Sequence, residues 1–150
     1  MSQPMSGAVL AATALAFAGL FADTATAASR LRDITYLVKQ DYSDCGNANV
    51  SAQPPAVLGG EIMVTLRDGG KFEANVRLTK VAPNTTYHLF LKCHYLLGDI
   101  RTDASGHGNN TFFFPTSDSG QVFAFDMYPD GAPLGNKYQA VQVNFQQGPQ

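Results

Sequence analysis

The side chains with the most chemistry are three histidines, a run of oxygen donors and two cysteines. His88 and His94 stand six residues apart, and His107 is the only other imidazole. On one extended strand the pair shares a face, but their Cα atoms then lie roughly 20 Å apart. Two imidazoles at that separation cannot share an ion without a bulge between them. Ordinary half-exposed histidines are the plainer reading, and a metal site the sharper one. Asp99, Asp103, Ser105 and Asn109 form an oxygen-rich run of the kind that suits a hard cation. Arg101, however, stands where a calcium loop would carry a second carboxylate. Asp103-Ala104-Ser105-Gly106 reads more simply as a type I turn, with Asp bonding back to backbone and Gly taking the last position. None of these residues calls for a cofactor.

Nucleophilic catalysis finds no local signature. The chain has no Gly-x-Ser-x-Gly elbow, no His-Glu-x-x-His and no glycine-rich phosphate loop opening a helix. Two carboxylates brought together from distant loops would leave no such mark, so a small secreted enzyme with a loop-built site stands as one alternative. An extracytoplasmic carrier of a metal or small ligand stands as another, using His88, His94 or the 99–109 run. A nucleic-acid partner needs clustered cations to replace counterions along phosphates. The ten Lys and Arg are scattered and the formal net charge is −2, so nucleic acid is set aside.

Met1 to Ala22 carries no charged side chain, Ala8 to Ala22 is a small-apolar run, and Ala25-Thr26-Ala27 offers the small residues a signal peptidase accepts. Residues 1–27 are therefore expected to be a signal peptide, leaving 28–150 as the mature domain, secreted or periplasmic, with no transmembrane anchor after processing. A buried apolar helix is the bland alternative. Cys45 and Cys93 are the only cysteines, and an even count in an exported chain favours a disulfide over two buried thiols.

Helical periodicity is almost absent after the leader. Strands are expected at 34–39, 61–67, 72–78, 87–94, 99–102, 111–114, 122–127 and 138–145, bounded by Gly, Pro, Asn and Asp. Asp68-Gly69-Gly70 marks a hairpin. In 72–78, Phe72, Ala74, Val76 and Leu78 alternate with Glu73, Asn75 and Arg77, the pattern of a strand wet on one side. A similar alternation puts Tyr87, Leu89, Leu91 and Cys93 inward and His88, Phe90, Lys92 and His94 outward. Eight such strands predict an all-β sandwich or small barrel. Apolar residues at 45% against charged ones at 15% suit a folded core.

The stretch Leu78-Thr79-Lys80-Val81-Ala82-Pro83-Asn84-Thr85-Thr86-Tyr87 resembles the corner before the sixth strand of fibronectin type III domains. The resemblance runs through Leu91 and covers about 14 residues. It implies an immunoglobulin-like antiparallel sandwich in which Tyr87 is the corner tyrosine, Leu78 and Val81 are core, and Pro83 sets the turn. The chain departs from that family in having no Trp. Residues 97–108 also look like a strand-turn-strand element of small uncharacterised exported bacterial proteins. Neither resemblance implies an activity.

Phe112-Phe113-Phe114 on a strand must turn at least one ring away from the core. Phe90 and Phe113 thus become candidates for a contact surface, unless the long 40–60 connection covers them. Three glycosylation-type triplets, at Asn49, Asn84 and Asn109, mark surface loops. The favoured expectation is a non-catalytic exported module with a structural or protein-binding role, its partner another exported protein or a cell-surface component. A sugar platform is disfavoured without Trp.

Overall fold

A computed structural model of the chain describes residues 31–132 and 137–146, so the expected leader lies outside the described residues. The regular structure of the described part is almost entirely antiparallel β. Its strands are β1 Arg32–Val38, β2 Leu58–Arg67, β3 Lys71–Leu78, β4 Thr86–Leu91, β5 Tyr95–Arg101, β6 Gly108–Pro115, β7 Val122–Phe123, β8 Phe125–Pro129, β9 Tyr138–Ala140 and β10 Val143–Asn144. One helical turn, α1 Thr116–Ser119, follows β6. Among the described residues no helix is long and apolar enough to cross a membrane.

Eight strands hydrogen-bond into a single sheet of order β5-β4-β8-β9-β1-β2-β3-β6. Its two edges, β5 and β6, are consecutive in the chain and lie against each other. Asn110 Nδ2 donates to the Asp99 carbonyl across that seam at 2.9 Å. The sheet therefore curls on itself like a barrel, which differs from the expected two face-to-face layers. Local alternation defines the strands, but the pairs β8–β9 and β9–β1 that join the two halves are short, and β9–β1 brings Leu37 to Ala140 from opposite ends of the described chain. A closed or nearly closed wall also hides the edge hydrogen-bonding groups that an open sheet exposes.

Alternation sorts the side chains as the sequence suggested. Ile62, Val64, Phe72, Ala74, Val76, Leu78, Tyr87, Leu89 and Leu91 are buried in one core. Gly69 and Gly70, both at positive φ, close the β2–β3 hairpin. One end of the barrel is filled by rings. Phe72 packs on Phe114, Phe123 and Phe145 with centroids 5.6, 5.0 and 4.8 Å away. The small pair β7–β10 brings Phe123 and Phe145 to that end. To do so the chain leaves the main sheet at Ala124 and again at Val141–Gln142, which breaks the expected continuous strands 122–127 and 138–145.

The β3–β4 corner supports the core from the opposite end. Tyr87 is buried, and its hydroxyl accepts the Ala82 N–H at 2.9 Å. Buried Thr102 donates to the Ala82 carbonyl at 2.7 Å and accepts the Thr85 N–H at 2.9 Å, stitching the β5–β6 connection to the same corner. Leu78 and Val81 are buried beside it, and Pro83 lies exposed in the turn.

One expected element ends early. The strand read through His94 stops at Leu91, where the His94 N–H bonds back to the Leu91 carbonyl at 3.0 Å and Cys93 takes φ 62°. Lys92, Cys93 and His94 form a tight hairpin loop, so Cys93 and His94 are exposed rather than placed on alternate strand faces. β5 then begins at Tyr95, earlier than the expected 99.

Candidate functional site

Two parts of the outer barrel wall are built differently. The first is the solvent side of β1, β2, β3 and β6. Pairing places its outward side chains in three rows: Arg32–Thr65–Glu73–Phe113, Ile34–Met63–Asn75–Thr111 and Tyr36–Glu61–Arg77–Asn109. Ile34 is 51% exposed, Tyr36 42% and Phe113 61%, well above what a strand residue on a covered face would show. A polar ladder crosses the face. Arg67 Nε donates to Glu73 at 2.6 Å, Asn75 Nδ2 to Glu73 at 2.7 Å and Thr111 Oγ1 to Asn75 at 2.8 Å. The Arg67 guanidinium and the Asn75 amide hold the Glu73 carboxyl below its usual range.

Two adjoining open depressions mark this face. One, of about 370 Å³, is lined by Ile34, Met63, Asn75 and Thr111 among others, and the second, of about 320 Å³, by Tyr36, Leu58, Gly60 and Thr79. Both are bordered by Glu61 and Arg77, which face each other across β2 and β3. Among the described residues, neither of these two charged heads enters an ion pair or side-chain hydrogen bond. The face thus offers one free donor set and one free acceptor set between apolar walls.

The second part is the outside of β8 and β9 together with Lys92 just past β4, which the 39–57 connection covers. Its polar residues are buried and mutually satisfied. Lys92 Nζ donates to the Tyr42 carbonyl at 2.7 Å and to Asn47 Oδ1, with Asp126 at 3.8 Å. Gln139 exchanges two hydrogen bonds with the Tyr42 backbone and donates to Asp126 at 3.2 Å. Asn47 Nδ2 donates to the Ala140 carbonyl at 2.9 Å. Lys137 bridges Asp126 at 3.2 Å and Asp41 at 3.0 Å and lies over the Tyr128 ring. Burial opposes the Lys137 charge, but Tyr128, Asp41 and Asp126 together hold its pKa above the usual value. The disulfide Cys45–Cys93 closes this clasp at its exposed edge.

The residues singled out from the sequence fall in several places. His88 and His94 do not meet. His88 lies between two carboxylates, Nδ1 2.6 Å from Asp99 and Nε2 3.4 Å from Asp130, and the Asp99 hydrogen bond raises its pKa. The two carboxylates sit on opposite sides of the ring, so the three groups do not converge on one point. Asp103 accepts the backbone N–H groups of Ser105 and His107 at 2.8 and 3.0 Å, which lowers its pKa. That is the geometry of a turn, completed by Gly106 at φ 76°. Among the described residues no group of three His, Cys, Asp or Glu side chains is placed to hold a metal ion.

Phe113 belongs to the bare face. Phe90 does not: it lies on β4, beyond β5, half-buried with Tyr128 edge-on at 5.9 Å. The 40–60 connection bonds to Lys92 and Gln139 and leaves Phe113 in water. Asn109 stands within β6 rather than in a loop. The sequence reading missed Asn47, Lys92, Asp126, Lys137 and Gln139, and it missed Ile34, Tyr36, Glu61 and Arg77 as neighbours. Tyr95, on β5, donates to Asp118 at 2.5 Å, and that bond pushes its pKa up to about 12. No protein-family model and no curated protein matches the chain.

Proposed function

We propose that this is an exported, non-catalytic β-module whose structural or protein-binding role is carried by the bare face of β1, β2, β3 and β6. The observation that carries the reading is the exposure of Ile34, Tyr36 and Phe113 around an unpaired Glu61–Arg77 couple. Aromatic residues, Met and Arg are the types enriched where proteins meet, and Lys is depleted there; the three rows hold Tyr36, Met63, Arg77 and Phe113 and no Lys. Four strands span about 14 Å and three rows about 13 Å between Cα atoms. That suits the centre of a standard protein interface, with a polar rim still to be supplied around it.

The proposal includes removal of residues 1–27 and a secreted or periplasmic location, for which the paired cysteines are the supporting feature. It confines the immunoglobulin-like relationship to the β3–corner–β4 unit, where Tyr87 bonds Ala82, because hydrogen bonding runs around one wall rather than in two layers.

A photo-reactive amino acid placed at Ile34, Arg77 or Phe113 in producing cells tests this. The reading expects one discrete adduct with an exported or surface protein from these positions, and none from Ala104 in the β5–β6 turn. Absence of adducts from all three bare-face positions in folded, exported protein would refute it.

A further inference from the structure

We propose that Lys92 and Asn47 become joined by an isopeptide bond formed within the folded chain, with Asp126 carrying the proton. Three groups of the right chemistry meet in a dry place. Lys92 is 6% exposed, Asn47 0% and Asp126 5%. Lys92 Nζ contacts Asn47 Oδ1 directly, and Asp126 Oδ1 lies 3.8 Å from the same nitrogen. Asn47 is held for the encounter. Its Nδ2 donates to the Ala140 carbonyl at 2.9 Å and to the Phe125 carbonyl at 3.4 Å, which fixes the amide with its carbonyl toward the lysine. Its backbone sits at φ 53°, a region Asn tolerates better than most residues, and this turns the side chain inward from the connection.

The charge balance at the site also favours the reaction. Asp126 has its closer cation in Lys137 at 3.2 Å and serves Gln139 as well. Lys92 therefore shares its one carboxylate with Lys137 and lies farther from it, and a buried ammonium without a full partner is costly. Conversion to an amide removes that charge.

The step balances without any added reagent. The Lys92 ammonium gives one proton to the Asp126 carboxylate, and the freed Nζ attacks Asn47 Cγ, forming the C–N bond. A second proton passes from Nζ to Nδ2 as the Cγ–Nδ2 bond breaks. The departing ammonia takes the proton held by Asp126 and leaves as ammonium. Side chains already in contact need no encounter, which is the largest advantage an intramolecular reaction can have. The bond would close nearly the same loop as Cys45–Cys93, two residues and one residue inside it. That disulfide is exposed at the surface and open to thiols, whereas an amide under the connection survives reduction.

Peptide mass mapping of the purified exported protein decides the matter. After reduction and alkylation, unjoined protein gives tryptic peptides 40–67, 81–92 and 93–101. The joined protein gives a branched species of 40–67 linked to 81–101, with no cleavage after Lys92 and one ammonia missing. Asn47→Asp should give the same branched product with loss of water instead. Asp126→Asn keeps both reacting residues and should lose the branched species; its persistence there would overturn the assignment of Asp126. Wild-type protein that cleaves fully after Lys92, with 40–67 recovered free, would overturn the proposal.

Discussion

The barrel wall follows one rule of alternation throughout, yet its two outer regions end up opposite in character. Outside β8 and β9, polar and charged side chains such as Lys92, Asp126 and Gln139 are buried, because the 39–57 connection wraps over them and supplies the carbonyl of Tyr42 and the amide of Asn47. Outside β1, β2, β3 and β6, Ile34, Tyr36 and Phe113 stay in water with nothing of the described chain over them. A buried polar group must find its partners inside the molecule. An exposed apolar row finds its gain only by meeting something else. The difference assigns stability to the first region and contact to the second, and substitutions should separate them on those lines.

The clasp should show the larger effects. Serine at both Cys45 and Cys93 opens a loop of 48 residues, worth about 4 kcal/mol by chain entropy. Urea unfolding in a Lys92→Arg background reads that loss in full, since no second covalent closure exists there. Asp126→Ala strands the buried Lys92 and takes one carboxylate from Lys137, and should cost about 3 kcal/mol in the same assay. Tyr87→Phe removes the bond from the Ala82 N–H and should cost about 1 kcal/mol without changing the far-ultraviolet dichroism.

The bare face should respond differently. Ile34→Ser and Phe113→Ser should each change stability by less than about 0.5 kcal/mol, while abolishing the photo-adduct formed from Arg77. A loss of stability as large as that of Asp126→Ala would mean the face is structural.

Which of these residues could be read in advance follows from how far their neighbours lie along the chain. β2, β3 and the start of β4 were legible because core contact and alternation coincide there; so were the Cys45–Cys93 pair, the Asp103 turn and the outward ring of Phe113. The end of β4 was not, because Lys92-Cys93-His94 continues the alternation while a positive φ at Cys93 turns the chain. The burial of Lys92 and Asp126 was not legible either. Both occupy outward positions, and only a segment some 45 residues upstream of Lys92 converts outward into buried. The closure of the sheet depends on β9, a three-residue strand whose pattern carries little signal.

The smallest expected effect concerns His88, outside both regions. Its pKa is raised in the fold by Asp99 and Asp130, so its contribution to stability is complete below the unfolded value of about 6.5 and is lost as pH rises through the folded value. The stability difference between wild type and His88→Asn should therefore favour wild type at acidic pH and shrink as the solution becomes basic. A difference that grows with pH would reverse the assignment of the ring's partners.

Radical footprinting tests the division of the wall most directly, by comparing purified protein with the same protein in its exported setting. The account expects Ile34, Tyr36, Met63 and Phe113 to label strongly in isolation and to become protected in place, while Tyr42 and Tyr95 label alike in both. Equal labelling of the four in both settings would contradict it.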